Sequence, residues 1–96
     1  MDEGVKMISS ASKAFELRKG NSSMGENEIL AHISRMAYSE RDQKVKIGMM
    51  AAASKALSII DRNPNYNERQ VLREVMQELP GILALANEDF KFNSRE

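Results

Sequence analysis

Few residues of this chain could serve a reaction or a metal ion, and the first candidates lie in the segment that begins at Asp61. Asp61, Asn63 and Asn65 occupy positions one, three and five of a possible calcium loop between two helical segments. Such a loop needs glycine at position six and a bidentate glutamate at position twelve, but the chain has Tyr66 and Leu72 there. We therefore interpret the segment as a polar turn with a helix cap, and we predict no metal site.

His32 is the only histidine, and the chain contains no cysteine. First-row metals need three or four ligands, and a catalytic histidine needs a nucleophile and an orienting partner. No such set surrounds His32 in the sequence. The acidic pairs Glu26–Glu28 and Glu74–Glu78 lack the Glu-x-x-His spacing of helical di-metal sites. We predict no catalytic residue, no cofactor and no enzymatic activity.

Arg41, Lys44 and Lys46 form the one basic cluster, where the third helical segment begins. Three cations at a helix N-terminus can hold a phosphate or an acidic partner. Arg69 and Arg73 on the fourth segment complete a possible contact surface for an anion or a nucleic acid. However, 14 basic residues balance 14 acidic ones, whereas duplex-binding proteins usually carry a basic excess. We interpret the cluster as solvated surface and keep a small nucleic-acid-associated regulator as the alternative function.

A repeated unit positions these candidates, because residues 7–36 and 49–78 align without gaps at an offset of 42 positions. Eight aligned pairs are identical, against roughly two expected from average composition. The identical pairs are Met7/Met49, Ala11/Ala53, Ser12/Ser54, Lys13/Lys55, Ala14/Ala56, Asn21/Asn63, Glu26/Glu68 and Leu30/Leu72. A repeat of this length is one supersecondary unit used twice.

Apolar residues recur at helical spacing in both copies, and no stretch shows the period of two that is typical of strands. The predicted helices cover about residues 2–19, 24–38, 40–61 and 66–79, with a short fifth helix at 81–89 after a break at Pro80–Gly81. Helix caps are expected at Ser23 with Glu26, at Ser39 with Asp42 and at Asn65 with Glu68. The third helix is apolar on almost every side, so we expect it to be the longest and the central one.

The predicted fold is therefore an all-α bundle of four to five helices. It consists of two quasi-equivalent helical hairpins, residues 2–38 and 40–79, within a single domain of residues 1–92. Residues 93–96 are expected to form a frayed tail.

The apolar composition predicts self-association. The chain has seven methionines and no tryptophan, and its ten alanines bury little surface, while methionine specifies packing loosely. We expect a modestly stable monomer that forms a homodimer. The predicted surface for a partner or a second copy comprises Met49, Met50, Ala53, Leu57, Val71, Val75 and Met76. The predicted function is a non-enzymatic protein–protein interaction module, a small helical adaptor or regulator.

The location of the protein is predicted from three features of the sequence. No apolar run approaches the roughly 20 residues that span a bilayer. Asp2 and Glu3 stand where a signal peptide would be basic. The lack of cysteine fits a reducing compartment. We expect a cytoplasmic protein without membrane contact.

Overall fold

The structure, a computed structural model, describes the backbone of residues 2–20 and 23–94 and the side chains of residues 4–20 and 23–82. Within these ranges the chain forms four helices and no strand. The helices are α1 (Asp2–Gly20), α2 (Glu26–Ala37), α3 (Gln43–Arg62) and α4 (Glu68–Ser94). The prediction of a compact all-α bundle is confirmed, with a radius of gyration of 13.1 Å.

α1 and α3 lie side by side and run in the same direction. The Ser10 hydroxyl lies 2.9 Å from the carbonyl oxygen of Met49, and further along Arg18 Nη2 lies 2.7 Å from Asp61 Oδ1. This pair makes the most extensive helix contact, and each of its members also contacts α2 and α4. The expectation that α3 alone would be central is therefore corrected, because the centre of the bundle is the parallel α1–α3 pair.

Small residues let α1 and α3 approach closely. A Cβ atom at Gly48 would lie only 2.0 Å from the Met7 Cε, so this glycine makes room for a fully buried methionine. The other small residues buried on the two helices are Ser10, Ala11, Ala14, Ala52, Ala53 and Ala56. The hydroxyl of Ser10 has one proton within reach of two carbonyl oxygens, at 2.8 Å on Met7 and 2.9 Å on Met49. The alanine-rich composition is thus explained by close helix packing.

α2 and α4 cover the central pair with β-branched residues. Ile29 and Ile33 of α2 are completely buried, as are Val71 and Val75 of α4. α4 first contacts α1 around Leu72, and further along it contacts α3 near the buried Ile82. α4 therefore crosses from one central helix to the other.

The predicted break at Pro80–Gly81 and the separate fifth helix at 81–89 are wrong. α4 continues through Pro80 to Ser94, and at 27 residues it is also longer than α3, which has 20. Proline removes one backbone donor and its ring crowds the carbonyl four residues earlier, although its fixed φ is compatible with a helix. Leu79 and Ile82 on either side of it pack against the core, and their burial keeps this turn helical. Asn93 and Ser94 also belong to α4, whereas Arg95 and Glu96 lie outside the described residues.

Two predicted helix caps are wrong by two residues. The backbone N–H of Gly25 donates to Glu28 Oε1 at 3.0 Å, so α2 begins after Gly25 and not after Ser23. Asn67 and Gln70 cap α4 reciprocally, each side-chain oxygen accepting the other's backbone N–H at 2.9 Å, which replaces the expected cap at Asn65.

Burial of one residue before each cap explains this shift. Met24 and Tyr66 precede Gly25 and Asn67, and both pack against the core, as the residue before a helix cap often does. Each helix therefore begins only after these side chains are in place.

The cap at the start of α3 also differs from its prediction. Asp42 is the cap itself, and its Oδ1 accepts the backbone N–H of Lys44 at 2.9 Å. The cap expected from Ser39 with Asp42 is therefore wrong, because Asp42 already satisfies an N–H group inside the first turn.

Candidate interaction surface

Two cationic side chains of α1 bind the segment that begins at Asp61. Arg18 pairs with Asp61 at 2.7 Å, and Lys19 Nζ donates to the carbonyl oxygen of Pro64 at 2.7 Å. The amide of Asn63 donates back to the carbonyl oxygen of Ile59 at the end of α3. These bonds tie the α3–α4 turn to the end of α1. Among residues 4–20 and 23–82, no three His, Asp or Glu side chains converge in a way that could hold a metal.

His32 lies half-buried on α2, between the buried Ile29 and Ile33 in sequence. Its closest acidic neighbour along the helix, Glu28, is engaged with the backbone N–H of Gly25. Ser34 is exposed on the same helix. Among residues 4–20 and 23–82, the structure describes no hydrogen bond between His32 and either of these side chains.

The five basic candidates lie on two helices. Arg41 is exposed, and Lys44 and Lys46 are half-buried, around the start of α3. The carboxylate of Asp42 occupies the N-terminus of that helix, where an anion would otherwise meet the backbone N–H groups. Arg69 and Arg73 are exposed on α4, and no described contact joins the two groups.

Tyr66, Arg73 and Glu74 line a small polar cleft of about 160 Å³ together with two glutamines. Hydrogen bonding to the Glu74 carboxylate, followed by the repulsion of its charge, raises the pKa of the Tyr66 phenol above its ordinary value of 10.0. The phenol therefore keeps its proton to a higher pH than an ordinary tyrosine does. The cleft lies beside the first turns of α4.

Five members of the predicted partner surface are buried inside the chain itself. Met49, Ala53, Leu57, Val71 and Val75 are at most 4% exposed. Positions four apart fall on one face of a helix, and on α3 and α4 that face points into the core. These five residues are therefore corrected to core residues.

Two members of the predicted surface remain accessible. Met50 is half-buried, and Met76 is 52% exposed. Met76 follows Leu72 by one helical turn, so it continues the edge of α4 that contacts α1.

An apolar groove runs between α1 and this edge of α4. Its volume is about 490 Å³, and its lining consists of Gly4, Val5, Ile8, Ser9, Ser12 and Leu72. Val5 is 65% exposed, and the half-buried Ile8 and Leu72 line the same groove. None of the lining residues is charged. We refer to these six residues as the α1–α4 groove.

A second groove, between α3 and α4, has a different character. It is about 570 Å³ in volume and is lined by Ala51, Ser54, Lys55, Ser58, Glu78, Gly81 and Ile82. Covering it would remove a lysine and a glutamate from water, which costs free energy unless both are paired. The α1–α4 groove is therefore the better candidate for an apolar partner.

Val5 stands at helical spacing from Ile8 and Ala11 in the sequence, yet it is exposed. The buried stripe follows Met7, Ser10, Ala11 and Ala14, and Val5 lies beside it. The repeat gives no signal for this, because the aligned copies start only at Met7. Val5 precedes the aligned segment.

The described residues include no helix that is both long and apolar enough to cross a membrane. No protein-family model matches the chain, and neither a curated protein nor a solved structure shows significant similarity to it.

Proposed function

We propose that the chain is a non-enzymatic protein–protein interaction module, a small helical adaptor or regulator that associates with a second copy of itself through the α1–α4 groove. The observation that carries the proposal is the 65% exposure of Val5 in a groove without charged lining residues. Contiguous exposed apolar surface of this kind is typical of interaction sites.

Charge and side-chain size favour a second copy as the occupant. The 14 basic and 14 acidic residues cancel, so two copies meet without net repulsion. A twofold contact places the same groove residues of both copies against each other, and these residues are uncharged. Gly4 and Ser9 are small, which allows a second helix to approach Val5 closely. Met76 extends the apolar area beyond Leu72 and adapts to an irregular partner surface.

A matched pair of glycine substitutions tests this surface. At both Gly4 and Gly81 an added Cβ would meet no atom within 4 Å, so each site accepts a larger residue without disturbing the fold. Gly4→Glu places a charge in the α1–α4 groove, where the helix N-terminus tolerates it. Gly81→Glu places the same charge in the α3–α4 groove as the control.

We expect light scattering over a dilution series to show a dimer for the unmodified chain and for Gly81→Glu, and a monomer for Gly4→Glu. Far-ultraviolet circular dichroism should show equal helix content in all three. A monomer at millimolar concentration for the unmodified chain would refute self-association. A dimer that persists in Gly4→Glu would refute this groove as its site.

We further propose that the two halves are quasi-equivalent hairpins that descend from one duplicated unit. Several boundaries support this at the offset of 42: α1 ends at Gly20 and α3 at Arg62, while α2 begins at Glu26 and α4 at Glu68. The capping residues Gly25 and Asn67 are related by the same offset. Experimental coordinates in which residues 7–36 and 49–78 fail to superimpose would contradict the proposal.

The alternative function, a nucleic-acid-associated regulator, draws on the exposure of Arg41, Arg69 and Arg73. Phosphate binding weakens steeply as salt concentration rises, whereas an apolar interface does not. Retardation of DNA or RNA at low salt, lost when these three arginines are replaced by glutamine, would favour it. No retardation of any nucleic acid at low salt would remove it.

A further inference from the structure

The connection between the two hairpins differs from the turns inside them. The α1–α2 turn contains Gly25 and follows Gly20, and the α3–α4 turn contains Pro64 with asparagines on both sides. These residue types favour turns. The segment between α2 and α3, residues 38–42, reads Tyr-Ser-Glu-Arg-Asp and contains no glycine, proline or asparagine. We refer to residues 38–42 as the link.

The first half of the link is already close to helical. Tyr38 has φ of −59° and ψ of −36°, and the backbone N–H of Glu40 donates to the carbonyl oxygen of Ala37 at 3.0 Å. Asp42 is extended, with φ of −84° and ψ of 115°, and its side chain caps α3. The turn between the hairpins therefore depends on the cap at Asp42 and on the ion pair of Lys6 with Glu40, at 2.7 Å.

Most of the burial of α1 comes from the other hairpin. Its contact with α3 is far more extensive than its contact with α2, and α2 in turn contacts α3 more extensively than α1. The packing of Met7 on Gly48 and the hydrogen bond of Ser10 to Met49 both cross between hairpins. None of these contacts requires that both hairpins belong to the same chain.

We propose that two copies of the chain exchange hairpins by straightening the link. α2 and α3 then form one continuous helix, and the first hairpin of each copy packs on the second hairpin of the other. All contacts between α1 and α3 are kept, so the balance between closed and exchanged forms is set by the link and by protein concentration. Each α1–α4 groove is then built from two chains.

This exchange goes beyond association through the α1–α4 groove, because it uses the core interface and not the surface. The two kinds of dimer also differ in which chain supplies the partner of α1. A covalent bond between α1 and α3 therefore distinguishes them.

Met7→Cys combined with Gly48→Cys supplies this bond in a chain that has no cysteine of its own. After Met7→Cys the sulfur takes the place of Met7 Cγ, which lies 3.3 Å from a Cβ built at Gly48. This separation between the sulfur and the opposite Cβ suits a disulfide. The Met7 Cε and Sδ atoms that crowd this Cβ are removed by the same change. A disulfide within one chain reports the closed form or a groove dimer, and disulfides between chains report exchange.

The double-cysteine variant is incubated at high concentration, oxidised, and separated on a denaturing gel without reductant. We expect a covalent dimer whose fraction falls on dilution before oxidation. Asp42→Ala removes the cap that turns the chain in the closed form. Two closed chains lose two caps, whereas the exchanged dimer loses none, so we expect the dissociation constant of the exchanged dimer to fall about tenfold or more. Insertion of Gly-Gly-Ser after Glu40 favours the turn and should abolish the covalent dimer. Met7→Cys alone is the control and should give no covalent dimer.

A dimer in light scattering that runs only as a cross-linked monomer on the denaturing gel would refute exchange and leave the groove proposal standing. Persistence of both the native dimer and the covalent dimer in Gly4→Glu would support exchange and refute the groove. If the double-cysteine variant does not fold, Arg18→Cys with Asp61→Cys, joined by a short bis-maleimide linker, gives the same readout at a partly exposed pair.

Discussion

Residues 7–36 and 49–78 bury several positions that align at the offset of 42, whereas the exposure of α1 and α3 differs. The buried equivalent pairs are Met7/Met49, Ala11/Ala53, Ala14/Ala56, Ile29/Val71 and Ile33/Val75. On the outside, α3 has no exposed residue from Lys44 to Ile60, whereas α1 exposes Val5, Ser9 and Glu16. Inner positions are constrained because a close-packed core tolerates little change in volume. The outer face of α1 carries no such constraint, and it is where the groove lies.

The largest effect should come from the matched inner positions Ile33 and Val75, both completely buried. We expect Ile33→Ala to lower the free energy of unfolding by about 2–5 kcal/mol and Val75→Ala by about 1.5–3 kcal/mol, because each leaves a cavity. Urea denaturation measures both, with the exposed Val5→Ala as the control. If either inner variant were as stable as Val5→Ala, the equivalence of the inner faces would fail.

A smaller effect should separate two helical glycines, Gly4 and Gly48. Gly4→Ala meets open space and should raise the free energy of unfolding by about 0.5–1 kcal/mol, since alanine favours the helix. Gly48→Ala forces the buried Met7 to move, and we expect a loss of about 1–3 kcal/mol. Thermal unfolding in the Met7→Ala background provides the test, because the loss should disappear there. A Gly48→Ala protein as stable as the unmodified chain would show that Met7 has free space.

The helix caps offer a test with a still smaller effect. Asn67→Ala breaks the reciprocal cap of α4 and should cost about 1 kcal/mol. Gly25→Asn gives α2 the cap that α4 has, and we expect a gain of a few tenths of a kcal/mol. Both are measured by urea denaturation at neutral pH. A loss of stability in Gly25→Asn would mean that the two caps are not equivalent in geometry.

The smallest expected effect concerns Tyr66, whose equivalent in the first half is Met24. Because Glu74 raises the pKa of Tyr66, the unfolded chain loses its phenol proton first as the pH increases. The associated stability is complete below pH 10.0 and is lost as the pH rises through the pKa of the folded state. Absorbance titration in a Tyr38→Phe background should show a lower pKa for Tyr66 after Glu74→Gln. An unchanged pKa would show that Glu74 does not act on the phenol.

The helices were predictable because each helix records its apolar spacing in its own sequence. Apolar spacing placed α1, α2 and α3 within three residues of their observed ends. The caps were less predictable, because a short polar turn offers several suitable residues. Burial of Met24 and Tyr66 selected Gly25 and Asn67 as caps, and that burial depends on distant parts of the chain.

The sequence by itself determined the helical class and the approximate bounds of α1, α2 and α3. Only the tertiary structure decided that α1 and α3 form the central pair, that α4 continues through Pro80, and that Val5 stays exposed while Val71 and Val75 are covered. Helical periodicity defines an apolar face from residues three or four positions apart. Which face finds a neighbour depends on contacts between residues some 40 positions apart, and no local pattern contains that information.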